Sequence, residues 1–429
     1  MSSIARRNYW SISGFVFLYF AVQATAIALL SIWLSSSLKL TGTEIGVVFS
    51  ANAIIAMIAQ PIYGIISDKF GLKKNILWII AFLAVATGPF FIFVYKPLLL
   101  FSPLLGAIIG GLYIGAAFQA GGGAVESYAD RVARTYGFEY GRVRMFGSIG
   151  FAAMSFFLGP LMNMNPNYNF VIGSLLGIIL LLLLLVMKID PQKEAEMAHE
   201  KAEPFRINDI WALLKSGKFW AFVVYVVSVP TFYMVCEQQF PIHYAASFTN
   251  AATGNQFYGY LNSVQVFIEA GMLFVAPLIV VRIGIKRGLL LANSLMIIRL
   301  LLAGIVVAPV GLSFVKLISG IELPILLVSI FKYISAHFSS RVSSTLYLIG
   351  FQFSLALGQT IYSPVIGNLY DTIGFNEAYV LMGGIALIFT IIAVFTLRKD
   401  DQDPESTQEG TLGERSEKGN LTKQGEDAI

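Results

Sequence analysis

The sequence predicts an all-α membrane protein, with twelve transmembrane helices arranged as two pseudo-symmetric six-helix bundles. Three observations carry that reading: an excess of apolar residues, long stretches without charge, and an echo between the two halves of the chain. Of 429 residues, 56% are hydrophobic and a further 39 are glycine, against a soluble-domain norm of about 45–50% with glycine included. Only 13% are charged, roughly half of what a water-facing surface over such a chain needs, so lipid must cover much of it. The single cysteine, Cys236, excludes an internal disulfide framework and a four-cysteine zinc site. A net charge of +4 is too small to indicate a nucleic-acid partner.

Each spanning helix needs about 20 apolar residues, and the uncharged gaps supply them. In the first half they run from Trp10 to Leu38, Ile45 to Ser67, Asn75 to Tyr95, Pro97 to Val125 and Met145 to Met187. The last gap holds two helices, because Pro160 to Asn167 combines proline and asparagine as a turn does. In the second half, apolar stretches begin near Phe219, Phe257, Gly288, Gly311, Val342 and Ala378, and six spans fit again. The expected organisation is therefore a bundle over residues 1–188, a linker over 189–218, a second bundle over 219–397 and a tail over 398–429. In the linker 11 of 30 positions are charged, as a solvated, partly helical segment requires. The tail lacks apolar periodicity and is expected to be disordered.

Basic residues orient the chain. With the amino terminus inside, 25 of the 29 lysines and arginines fall on the cytoplasmic face, Lys39 and Lys96 fall outside, and Arg299 and Lys316 lie within spans. Both termini are then cytoplasmic. Arg6 and Arg7 precede an apolar run too long for a secretory signal, which makes that run the first span.

The halves echo each other. Asp68-Lys-Phe-Gly71-Leu-Lys73-Lys74 after the second span matches Val281-Arg-Ile-Gly284-Ile-Lys286-Arg287 after the eighth, and Asn8-Tyr-Trp10 matches Lys218-Phe-Trp220. Positive-inside sorting alone also produces basic turns, which is the plainer explanation. As repeats, two six-helix units around a midplane cavity form a transporter architecture.

Five ionisable residues interrupt the second-half spans: Glu237, Glu269, Arg299, Lys316 and Glu322. A charge at a helix centre costs at least about 2.5–3.5 kcal/mol, so each needs a partner or a purpose. Three acids face two bases, and the least costly arrangement lets one carboxyl carry a proton. On the tenth span Lys316, Ser319 and Glu322 are spaced three apart, about 60° to either side of Ser319, and are expected to face one cavity. Pro324 loosens the segment just beyond. The alternative is a static ion-pair network that locks the helices together.

The first half offers Glu126 and Arg144, which hydropathy places at the cytoplasmic boundary as ordinary helix-end charges. Their functional use is sugar recognition: a carboxylate accepting from hydroxyls, a planar guanidinium donating, and an aromatic face over the apolar side of a pyranose. Phe151, about two turns beyond Arg144, shares its helix face.

At these residues the sequence resembles the lactose permease and sucrose permease group, the oligosaccharide:proton symporters of the major facilitator superfamily. The resemblance spans nearly the whole chain. It is carried by SDKFGLKK (Ser67 to Lys74), AVESY (Ala124 to Tyr128), FEYGRVRMFG (Phe138 to Gly147), EQQF (Glu237 to Phe240), YGYLNS (Tyr258 to Ser263), KLISGIELP (Lys316 to Pro324) and LIGFQF (Leu348 to Phe353). It implies the major facilitator fold and proton-coupled uptake of an oligosaccharide, a galactoside such as lactose, melibiose or raffinose, or sucrose, by alternating access in the inner membrane. No cofactor is implied, since the proton gradient supplies the energy, and the expected partners are a sugar, a proton and the lipid bilayer, with the chain a monomer. Glu126, Arg144, Phe151, Glu269 and Gln238 would bind sugar. Glu322 would carry the proton, Arg299 would discharge it, Lys316 would pair with Glu237, and Gly64, Asp68, Gly71, Lys73 and Lys74 would form the conformational motif.

Four departures from the group's pattern, over five positions, stand out. Ser319 stands where the family has a histidine, which alters the link from sugar site to proton site. Met234 and Leu355 replace an aspartate and lysine that pair in the lactose branch. Val266 replaces that branch's eighth-helix carboxylate, with Glu269 one turn later as in the sucrose branch. Phe151 replaces a stacking tryptophan and loses the indole donor.

An uncoupled sugar facilitator is the alternative function, and a membrane sugar sensor a more distant one. An enzyme is not expected: His199, His243 and His337 are scattered, and neither HExxH nor a nucleophile elbow occurs. An efflux pump for apolar cations would carry fewer amides than Gln238, Gln239, Asn262, Gln265 and Gln352, although amides also serve as interhelical glue.

Overall fold

The computed structural model describes residues 3–70, 74–187, 215–337 and 346–397. Ten of its helices are long and apolar enough to cross a membrane, and one pair bent by 48° makes an eleventh span. The helix Gly350–Thr396 runs 47 residues, too long for one crossing of a bilayer that takes about 20. It turns at Gly374, whose φ of 86° and ψ of 168° lie outside helical space, and so counts twice. The described residues therefore hold the twelve spans that the charge-free gaps predict.

We number them α1 (Ile4–Ser37), α2 (Gly42–Phe70), α3 (Asn75–Val85 with Thr87–Phe101), α4 (Pro103–Tyr136), α5 (Tyr140–Met164), α6 (Tyr168–Val186), α7 (Gly217–Ala246), α8 (Ala251–Ile283), α9 (Ile285–Ile305), α10 (Pro309–His337), α11 (346–373) and α12 (375–396). The predicted turn at residues 160–167 falls at its far end, because α5 carries Pro160 within it and stops at Met164. Gly71, Lys73, most of the predicted linker and the predicted tail lie outside the described residues.

Within the first half α1 packs on α5 and α6, α2 on α4, and α3 on α6; within the second, α8 and α9 pack on α10. One feature repeats at atomic detail. The Nζ of Lys74, at the start of α3, donates to the carbonyls of Leu184 and Met187 at the end of α6, both at 2.8 Å. The Nζ of Lys286, at the start of α9, donates to the carbonyls of Val394 and Leu397 at the end of α12, at 2.7 and 2.6 Å. A helix leaves its last carbonyls without intrahelical donors and carries partial negative charge there, so an ammonium is the fitting cap. The basic turns that echo in the sequence thus close corresponding helix ends.

The halves meet along two seams at the same end of the bundle. On the α2–α11 seam a Cβ on Gly46 would lie 2.2 Å from the Ser363 carbonyl, and Ser50 donates to the Thr360 carbonyl at 2.8 Å. On the α5–α8 seam a Cβ on Gly159 would lie 2.5 Å from the Asn255 carbonyl, while Asn163 donates to Ala252 at 2.6 Å and Asn262 to Ser155 at 3.3 Å. At the opposite end the halves part around a cavity of about 640 Å³, lined from α2, α4, α5, α10 and α11. Gly64 lines it, and a Cβ there would meet no atom within 4 Å.

Replacing Lys74 or Lys286 by Met removes a charged donor from two carbonyls. Each change is expected to cost about 1.5–3 kcal/mol and to lower the apparent melting temperature of the detergent-solubilised protein. An unchanged unfolding curve for both variants would show that the caps contribute nothing.

Candidate functional site

Three helices of the second half converge on one guanidinium. Arg299 of α9 is 1% exposed. Its Nε donates to Glu322 Oε2 on α10 and its Nη1 to Glu237 Oε1 on α7, each at 2.8 Å. Lys316, two turns before Glu322 on α10, pairs with the other oxygen of Glu237. Aromatic rings close the cluster: Tyr233 lies 5.1 Å from the guanidinium, and Phe240 and Tyr258 each lie 5.9 Å from the lysine Nζ. Two buried polar atoms, Glu322 Oε1 and Arg299 Nη2, have no hydrogen-bond partner.

The third acid stands apart. Glu269 accepts from Gln265 Nε2 at 3.0 Å and forms no ion pair with a base among the described residues. Glu237, Glu269 and Lys316 line a cavity of about 280 Å³ between the halves, together with Gln238 and, from the first half, Phe151. Met234 and Val266, the neutral replacements at family carboxylate positions, line it too.

The expectation that Lys316, Ser319 and Glu322 face one cavity is corrected here. Lys316 is part of the wall, whereas Ser319 and Glu322 are buried behind it. Ser319 turns its hydroxyl back onto the Lys316 carbonyl of its own helix at 2.7 Å. A serine one turn beyond a backbone carbonyl finds that acceptor at hand.

In the first half Arg144 Nε lies 2.5 Å from Glu126 Oε1, and each side chain is 34% exposed. Arg144 also donates to Ser148 at 3.2 Å and stacks its guanidinium 4.6 Å from the Phe20 ring. Glu126 lines the larger cavity and stands ten residues before the end of α4, roughly 15 Å of helix. It stands within the helix and on a cavity wall rather than at the helix terminus. Just before Glu126, α4 takes a π-helical turn over Gly115–Ala120, and the affected carbonyls find donors on α1: Tyr19 Oη to Ala117 and Gln23 Nε2 to Phe118, both at 2.8 Å. The structure therefore brings Glu126 to Arg144 and sets Phe151 on the neighbouring cavity with Gln238 and Glu269. Asp68 lies in α2, and Lys74 serves the α6 cap.

The amides divide by use. Gln239 donates across the halves to the Gly42 carbonyl at 2.9 Å, and Asn262 likewise bridges the halves. Gln265 holds Glu269, and the Oε1 of Gln238 is buried without a partner. Gln352 lines the larger cavity. His243 bonds the Ala303 carbonyl at 2.9 Å, and no His/Cys/Asp/Glu group that would hold a metal ion occurs among the described residues. The sequence reading missed Phe20, which lies against the Arg144 guanidinium, Tyr19 and Gln23, which hold the π-helical turn of α4, and the aromatic ring set around the base cluster. Phe240 and Tyr258 sit inside strings that carried the resemblance, but nothing in their type separates them from the other aromatics.

Twelve spans parted at one end, with buried ion pairs beside a cavity shared by the halves, define a multi-pass membrane transporter of the major facilitator fold. The chain belongs to the LacY proton/sugar symporter family, whose profile matches residues 1–408. It is 38% identical to a lactose permease of Klebsiella oxytoca over 86% of this chain and 89% of that protein. It is 37% identical to a sucrose permease of Escherichia coli over 90% and 93%, and 38% identical to a raffinose permease of Escherichia coli over 91% and 92%. Among solved structures it is similar in fold to the nucleoside transporter NupG, with a TM-score of 0.80 and 16% identity, over 91% of this chain and 100% of that one. It is a proton-coupled sugar symporter and not an enzyme.

Glu237 is the shared partner of both bases, so Glu237→Gln leaves Lys316 buried and unpaired. A cost of about 3–5 kcal/mol is expected for that single change. The double change Glu237→Gln with Lys316→Gln should recover much of it. Thermal unfolding of the three proteins decides the matter, and additive losses would sink the pairing argument.

Proposed function

We propose that the chain carries an oligosaccharide and a proton together into the cell, across the cytoplasmic membrane with both termini inside. The observation that carries this reading is a charge balance. With all three acids ionised, Glu237, Glu269 and Glu322 outnumber Arg299 and Lys316 by one, and a single proton makes the group neutral. We assign it to Glu322, since Glu237 already meets two bases, Glu269 is held by Gln265 on the cavity wall, and Glu322 is buried with one oxygen unpartnered among the described residues. Arg299, shared between two acids, discharges it by pairing with the ionised form.

Sugar binds between the halves. Glu126 and Arg144 engage hydroxyls from the first half with Phe151 as the apolar platform, and Gln238 and Glu269 engage them from the second. The names of the relatives support a di- or trisaccharide of the galactoside or sucrose type. The family's residue roles support the assignment, as does the grouping of these side chains on the two cavities. The chain works as a monomer and draws its energy from the proton gradient. The basic residues concentrated on the side that carries the larger cavity support an inward-facing state.

Ser319 gives specific weight to a second reading, uncoupled facilitation, because its hydroxyl is committed to the Lys316 carbonyl and does not link the sugar site to Glu322. Addition of sugar to a weakly buffered vesicle suspension is expected to alkalinise it. Entry of labelled sugar with no pH change would establish the facilitator. Glu322→Ala is expected to retain equilibrium exchange and lose uphill accumulation, and loss of both would remove Glu322 from its assigned role. Counterflow against a panel of unlabelled sugars identifies the substrate in either case.

A further inference from the structure

The first turn of α2 is completed by the other half of the molecule. Thr41 and Glu44 form a reciprocal cap: Thr41 N donates to Glu44 Oε2 at 2.9 Å and Glu44 N to Thr41 Oγ1 at 3.2 Å. That arrangement serves the capping residue and the third helical position, leaving the amides of Gly42 and Thr43 without an intrahelical acceptor. Asp371, near the end of α11 and 329 residues away from Gly42, supplies both. Its Oδ1 accepts from Gly42 N at 2.6 Å, and its Oδ2 accepts from Thr43 N at 2.8 Å and from Thr43 Oγ1 at 2.7 Å.

The backbone is shaped to admit this contact. A Cβ on Gly42 would lie 2.6 Å from the Gly367 carbonyl and 2.8 Å from Asp371 Oδ1, and a Cβ on Gly367 would lie 2.1 Å from the Gly42 carbonyl. Helix against helix at that distance leaves room for no side chain at either position. The Gly42 carbonyl in turn accepts from Gln239 of α7. A carboxylate at a helix amino terminus is also favoured by the partial positive charge there.

We propose that Asp371 is a latch, which holds the two halves together at the α2–α11 end and must release the Gly42 and Thr43 amides before that end opens. In the orientation argued above this is the outward-facing gate, and to that extent the inference rests on the proposed transport cycle. The latch acts only in the state in which the halves touch there. When they separate, water takes over both amides and the carboxylate. Its strength therefore sets the balance between the two states without contacting sugar or the proton cluster.

The experiment places spin labels at Met164→Cys on α5 and Val310→Cys on α10. Both sites are exposed near this end on opposite halves, and the single native thiol, Cys236, is fully buried. Distances are read by double electron–electron resonance in lipid nanodiscs, with and without raffinose, lactose or sucrose. Asp371→Asn keeps the side-chain shape and removes the charge and one acceptor. It is expected to raise the ratio of long to short distances about five-fold, the scale of losing a helix cap. Thr43→Val removes one donor, leaves the carboxylate in place and is expected to shift the ratio the same way, about two-fold. Unaltered distributions in both variants would overturn the latch. If no sugar changes the distances in the unmodified chain or binds it in equilibrium dialysis, the oligosaccharide reading fails instead, and a shift in Asp371→Asn would still uphold the latch.

Discussion

The second half is organised around a guanidinium that three helices cannot do without. Arg299 lies 1% exposed between Glu237 and Glu322, and each carboxylate is itself too costly to bury alone. The pairs draw α7, α9 and α10 together in a way that apolar packing in lipid cannot, since hydrocarbon outside the protein is as apolar as the side chains within it. Lys316 completes the arrangement by holding the second oxygen of Glu237, so one acid serves two bases. That sharing leaves Glu322 with a single base and Glu269 with none among the described residues, and the proposed proton role rests on this asymmetry.

The two ends of the molecule are built differently for a physical reason. At the closed end, contact between halves is backbone to backbone, with glycine or small residues on both seams, and the hydrogen bonds across it join backbone groups and neutral side chains except at Asp371. Such contacts are close but short, and they hold few charged groups that must be dehydrated or rehydrated as the halves part. At the parted end the walls carry Glu126, Asp130, Gln60 and Gln352, groups that tolerate solvent. The helices within each half are meanwhile tied by ammonium caps at the ends of α6 and α12. Rigid halves joined by a short seam that can part are what rocking requires.

Spans, repeat and buried charges were legible in the sequence because each depends on a long-range average or a rare residue type. A charge inside an apolar run is conspicuous wherever it falls, so Glu237, Glu269, Arg299, Lys316 and Glu322 stood out. Their pairing did not follow from spacing: Arg299 bridges residues 62 and 23 positions away. Ser319 misled for a local reason, since helical angles place it beside Lys316 and Glu322 but say nothing of the carbonyl its hydroxyl takes. The place of Glu126 on a cavity wall depends on the neighbouring helices, which hydropathy does not report. Asp371 was invisible, one acid among several near a helix end, although Thr41-Gly-Thr-Glu44 announces that a helix starts there.

In the proposed transport cycle, proton and sugar depend on each other through the net charge of this cluster. With Glu322 ionised the five groups carry one uncompensated negative charge beside a cavity that both halves line, and every rearrangement that seals the cavity must move that charge away from solvent. With Glu322 protonated the cluster is neutral and sealing carries no such penalty. Sugar enters the same balance from the other side, because Glu269, which forms no ion pair among the described residues, lines that cavity beside Glu237. A sugar that hydrogen-bonds to Glu269 replaces the solvent this acid would otherwise lose on closure. On that proposal each ligand removes a different part of the same electrostatic obstacle, and the two would be coupled without a direct hydrogen bond through position 319.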